Sequence, residues 1–172
     1  LSTDGGAIWA PLLRWSEDHG SFRSALGEQV AVDLSAFKGS TNLRLRWRLR
    51  DPAAGEYGWY AQLDDIRLLC DQSPVCTGPA SLAPISDPGF EGSPSPWTGT
   101  STSGVDPVCS AAACGLAGAH LGSGWAFLGG RFLAPEASAI EQTVTIPFGI
   151  GRLRFYLWIP AVSGGGTDAL RV

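Results

Sequence analysis

The sequence predicts an all-β protein, and three observations carry that expectation. Apolar residues recur at every second position over most of the chain, whereas no stretch holds the 3.6-residue stripe of an amphipathic helix. The 23 Gly and 12 Pro supply the turns that many short strands need. At 172 residues the chain has the length of one domain, and 44% hydrophobic residues are enough for one sizeable core.

Taken in order, the alternation places strands at 7–15, 29–35, 42–50, 58–69, 124–129, 138–146, 151–160 and 167–172. The clearest is the third, where Leu43, Leu45, Trp47 and Leu49 alternate with Arg44, Arg46, Arg48 and Arg50. One face of that strand is apolar and the other carries four guanidiniums. In the seventh, Leu153, Phe155, Leu157 and Ile159 alternate with Arg152, Arg154, Tyr156 and Trp158, so two large aromatics are expected on its outer face. Between the fourth and fifth strands lie two polar stretches. Residues 71–84, with three Pro and little to bury, read as a linker that splits the chain into halves. Residues 93–104 read as a surface loop anchored by Trp97, with Ser and Thr open to O-glycosylation.

Composition narrows the partners. A net charge of −4 gives no general attraction for phosphate backbones, so nucleic acid is not expected. No apolar run approaches the length of a membrane-spanning helix. The chain holds no Met, and Leu1 opens in strand-like sequence, which reads as a processed or excised piece. The four cysteines fall in two close pairs, Cys70 with Cys76 and Cys109 with Cys114. Their gaps lack the two-residue spacing and nearby histidines of a zinc site, and they read as small disulfide loops in an extracellular or cell-surface setting.

The first half contains STDGGAIW (Ser2 to Trp9), VAVDLSAFKG (Val30 to Gly39), LRLRWRLRD (Leu43 to Asp51) and GWYAQLDDIRL (Gly58 to Leu68). The second contains ISDPGFEG (Ile85 to Gly92), GSGWAFLGG (Gly122 to Gly130), IEQTVTIP (Ile140 to Pro147), LRFYLWIP (Leu153 to Pro160) and TDALRV (Thr167 to Val172). Together these segments resemble the two halves of bacterial secreted MAM-like jelly-roll modules, in permuted order. The resemblance implies an antiparallel jelly-roll β-sandwich. Residues 1–70 would form the C-terminal half of one module and 85–172 the N-terminal half of the next, with 71–84 between them. Joining Val172 to Leu1 gives TDALRVLSTDGGAIW, which reads as one strand running into its turn, give or take a residue. Two arrangements satisfy such an order: a monomer folded back through 71–84, or a head-to-tail chain of copies completing one another. The expected partners are accordingly copies of the chain itself.

The resemblance also implies a metal site, because modules of this kind often set a carboxylate of the first strand near one of the last. Asp87 and Glu91 of the GFE segment with the pair Asp64 and Asp65 are the candidate ligands, and structural calcium is the expected ion. The plainer alternative gives these carboxylates backbone amides or arginines as partners. Asp4-Gly5-Gly6, Gly129-Gly130 and Gly164-Gly165-Gly166 read as turns.

His19 and His120 are the only histidines, both expected in loops, and neither H-E-x-x-H nor G-x-S-x-G occurs. Glu28, Glu56, Glu136 and Glu141 show no spacing that sets two of them across a cleft. No enzyme is expected. Arg154, Tyr156 and Trp158 share an outward face that suits an interface between copies, cover by a local loop, or sugar stacking. The arginine row reads as a solvated face, with a polyanion site as the sharper alternative. The functional expectation is a structural, extracellular filament or adhesin repeat, against a non-catalytic carbohydrate-binding module that binds a surface glycan.

Overall fold

The computed structural model describes residues 1–17, 27–52, 59–70, 85–114, 118–130, 135–159 and 169–172. The linker 71–84, His19, Glu56, Cys76 and Gly164 to Gly166 lie outside the described residues, as does the side chain of Cys70. In chain order the elements are β1 (Arg14–Trp15), β2 (Glu28–Asp33), the 3-10 turn η1 (Ser35–Phe37), β3 (Leu43–Asp51) and β4 (Tyr60–Cys70). There follow β5 (Thr98–Ser101), β6 (Val108–Ser110), the single helical turn α1 (Ala111–Cys114), β7 (Gly124–Gly129), β8 (Glu136–Val144), β9 (Ile150–Trp158) and β10 (Ala169–Arg171).

The protein is all-β. Two five-stranded sheets, ordered β1-β10-β3-β8-β5 and β2-β9-β4-β7-β6, pair antiparallel throughout and pack face to face as a β-sandwich. The alternation in β3 is realised in full: Leu43, Leu45, Trp47 and Leu49 are buried and the four arginines point away. Leu153, Phe155 and Leu157 of β9 face them from the other sheet. Trp47 meets the Phe155 ring edge-on at 5.4 Å and the Trp97 ring at 5.9 Å. Such edge-to-face contacts add to the burial of both rings.

Two expected elements are corrected and one strand is added. The segment 7–15 is strand only at Arg14–Trp15. Upstream, Asp4 accepts a hydrogen bond from the Ile8 N–H and Trp9 Nε1 donates to the Gly6 carbonyl, which coil the segment, and Pro11 has no N–H for a ladder. The loop 93–104 contains β5, an exposed edge strand against β8 whose Thr-Gly-Thr-Ser sequence carries no apolar alternation. Trp97 does anchor that region, 6% exposed beside Phe90 and Trp47. The short β6 is the added strand, and its central Cys109 is joined to Cys114 by the local disulfide that the spacing predicts.

Among the described residues, no strand of residues 1–70 hydrogen-bonds to another strand of that half. β1 and β3 flank β10, β2 and β4 flank β9, and β3 and β4 also pair with β8 and β7. The first half has no sheet of its own: β3 lies between β10 and β8 and β4 between β9 and β7, while β1 and β2 are edge strands on β10 and β9.

The chain ends lie along the same strand. Arg171 stands opposite Arg48, which sets Val172 opposite Trp47; Ser2 bridges to Arg44, which sets Leu1 opposite Leu45. The register leaves room for one residue, opposite Arg46, between Val172 and Leu1. Both end residues are buried, at 4% and 2% exposure, and Val172 exchanges backbone hydrogen bonds with Leu12 and Leu13.

Candidate functional site

The candidate carboxylates gather around a β-bulge. In β4, Asp64 pairs with Tyr156 and Arg67 with Arg154, so Asp65 and Ile66 together oppose the single residue Phe155. Asp65 takes φ 51, and the bulge lets Ile66 reach the core while its N–H bonds the Pro88 carbonyl at 2.8 Å. The bulge thereby sets two adjacent aspartates at the outer surface of the second sheet.

There they meet the segment 118–121. Asp64 Oδ2 accepts the backbone N–H groups of His120 at 2.6 Å and Leu121 at 3.0 Å, and Asp64 Oδ1 accepts the Asp65 N–H at 2.7 Å. Asp65 Oδ2 lies 2.6 Å from His120 Nδ1, and Asp65 Oδ1 accepts from the Arg67 guanidinium at 2.8 Å. The His120 ring then stacks on Tyr156, with centroids 3.4 Å apart. Burial pushes the Asp64 carboxyl up to about 6. Burial also works against the charge of Asp65, yet the bonds from Arg67 and His120 outweigh it and hold this carboxyl below the usual range.

The GFE residues are placed beside this cluster and outside it. Asp87 accepts the N–H groups of Glu91 and Gly92 within its own turn, at 2.8 and 3.0 Å. Glu91 accepts the N–H groups of Ser123 and Gly124 and the Ser123 hydroxyl, which hold its carboxyl below the usual range. The segment 85–92 bonds Gln142 of the first sheet through Ser86, Ile66 of the second through Pro88, and the start of β7 through Glu91. It sews one end of the sandwich shut.

Metal-ligand distances bring together Asp64, Asp65 and His120, whose ligand atoms lie within 4.8 Å of one another. This set does not suit calcium. One of the three groups is an imidazole nitrogen, whereas calcium takes a shell of oxygens. All eight oxygens of Asp64, Asp65, Asp87 and Glu91 already accept donors from the chain. The arrangement is that of a carboxylate clasp on backbone amides. His120 was expected only as a loop residue; its 55-residue separation from Asp65 leaves no spacing signal in the sequence.

The clasp has a pH signature. Because the folded state holds the Asp64 proton more tightly than the unfolded chain does, this group favours folding at low pH. That contribution is lost as pH rises from the ordinary 3.8 through about 6. Asp64→Asn is expected to remove this decline, so urea titrations across that window should give a flatter stability profile for the variant. Superimposable profiles for the two proteins would contradict the assignment.

Of the three readings of the Arg154, Tyr156 and Trp158 face, cover by a local segment is the one the geometry favours. Trp158 is 9% exposed and Tyr156 lies under the His120 ring, so these two rings do not form an open stacking surface. Arg154 is half-buried beside them. The outer face of this sheet is covered where the segment 118–121 crosses it; an alanine at Gly118 would collide with the Trp125 ring, its nearest atom 2.6 Å away. On the opposite sheet Arg44 pairs with Glu141 at 3.3 Å, the partly paired arginine row that the sequence suggests. Comparison of the chain with protein-family models, with curated proteins and with solved structures finds no match to any of them.

Proposed function

We propose that this chain is a non-catalytic structural module of an extracellular filament or adhesin, a jelly-roll sandwich completed head to tail. Residues 85–172 of one copy take residues 1–70 of the next as their filler strands. The observation that carries the reading is the strand pairing: the first half owns no sheet, and every strand in it is held by the second half. The alignment of Val172 with Leu1 along β3, one residue apart, lets the two halves read as one continuous module across copies. The Cys109–Cys114 disulfide fits an oxidising, extracellular setting.

Physically, closed and exchanged forms share every contact between halves and differ only in where residues 71–84 lead. Exchange is therefore close to neutral per contact, and concentration and linker length decide it. A linker too short to return the chain leaves a neighbouring copy as the available second half. Deleting residues 77–83 is expected to deplete monomer and yield oligomers with unchanged strand content by circular dichroism. A folded monomer of the shortened chain would overturn the reading.

A further inference from the structure

Half of the chain's cationic side chains leave from one face. On the outer side of the first sheet, β3 presents Arg44, Arg46, Arg48 and Arg50. The register sets Arg171 of β10 opposite Arg48, and Arg14 of β1 opposite Arg171. Arg14, Arg171 and Arg48 thus form a row of like charges across three adjacent strands, all exposed. Like charges directly opposite one another destabilise a sheet, so such a row is a cost that the fold alone does not explain.

The neighbouring positions do not relieve it. Ala137 and Ala169 flank Arg50, and Ala139 flanks Arg48. Among the outward positions of these five strands Glu141 is the one carboxylate, and it is bonded to Arg44. Yet the chain has 16 Asp and Glu against 12 Lys and Arg, so the separation of charge is positional and not a consequence of composition. Burial first, and the adjacent Arg48 second, hold the Arg46 guanidinium below its usual range against the opposing pull of Glu141.

The face is also shaped. Arg46, Arg48, Arg50 and Arg171 line a groove of about 230 Å³ together with Trp9 and Pro11. The Arg46 Cζ sits 3.6 Å above the Trp9 ring, which fixes one guanidinium in a cation–π contact and leaves an apolar wall beside it. Residues two apart on a strand are spaced about 7 Å along it. That ladder is far sparser than duplex nucleic acid, which carries one charge per about 1.7 Å of axis, and it suits a polymer with one anion per bulky ring.

We propose that this groove binds an anionic polysaccharide, its guanidiniums taking successive carboxylate or sulfate groups while Trp9 and Pro11 border the sugar rings. Planar guanidiniums bind both anions in bidentate fashion. The groove takes Arg171 from one half of the sandwich and Arg46, Arg48 and Arg50 from the other, so it forms whether one copy or two supply the halves.

Affinity electrophoresis of the full chain tests it, with polygalacturonate, heparin or neutral dextran cast in the gel. Retardation is expected in the anionic gels and not in dextran, weakening as salt is added. Retardation by polygalacturonate alone assigns a carboxylate ligand, and by heparin alone a sulfate. The double variant Arg48→Ser/Arg171→Ser should lose about tenfold or more in affinity with its circular dichroism unchanged. Lys38→Ser/Arg152→Ser, with the same change in charge away from the groove, should keep it. The proposal is overturned by no retardation in either anionic gel, by equal losses in the two double variants, or by equal or tighter binding of a short DNA duplex. Self-association at low salt that vanishes in Arg48→Ser/Arg171→Ser would place an acidic second copy on this face and overturn it likewise.

Discussion

Phe155→Asp is expected to abolish the folded state. Phe155 has no exposed surface and lies between Trp47, at 5.4 Å, and Trp15, at 6.3 Å, in the centre of the space between the sheets. The substitution removes the burial of one aromatic ring and places a carboxyl where the neighbours are apolar. Burying a polar group without a partner costs about 2 to 7 kcal/mol, and a charged one more. Domains of this size are stable by about 5 to 15 kcal/mol in all. Loss of the strand signal in circular dichroism and rapid proteolysis would follow at ordinary temperature. A Phe155→Asp protein that melts cooperatively near the parent temperature would show that the two sheets do not share this core.

Trp47→Ala should cost about 3 to 5 kcal/mol, the range for removing a large buried aromatic. Trp47 belongs to the first half of the chain, whereas its ring partners Trp97 and Phe155 belong to the second. The loss therefore falls on the contact between halves, whichever copy supplies them. Urea unfolding followed by circular dichroism measures it, and a change under about 1 kcal/mol would place Trp47 outside the core.

Legibility followed burial. β3 and β9 could be read directly because each buries one face against the opposite sheet, and an alternating strand whose register slipped by one residue would expose its whole apolar row. β7 was bounded correctly at Gly124–Gly129 by its flanking glycines. β5 and β6 were not legible, since short edge strands bury too little to leave a pattern, and Thr98 to Thr100 are exposed. The stretch 7–15 misled for the opposite reason: apolar residues alternate there, but side-chain bonds from Asp4 and Trp9 and the missing N–H of Pro11 decide the backbone.

The site was legible only in its local parts. Asp64 and Asp65 are adjacent in sequence and together in space, but their meeting with His120 depends on the bulge at Asp65 and on where the segment before β7 crosses the sheet. Neither leaves a periodic trace. Trp158, which alternation sets outward, is nonetheless buried at 9% exposure. The arginine row was visible in β3, whereas its extension through Arg171 and Arg14 required the register of strands far apart in the chain.

The central claim is that the first half, which forms no strand ladder of its own, is completed by the second half of another copy. Light scattering coupled to size-exclusion chromatography tests it most directly, on the intact chain over a range of concentrations and after refolding at the highest. The account predicts a ladder of species at multiples of 18.0 kDa that shifts upward with concentration. A single 18.0 kDa species under every condition would contradict it, and would mean that each chain closes its sandwich on itself.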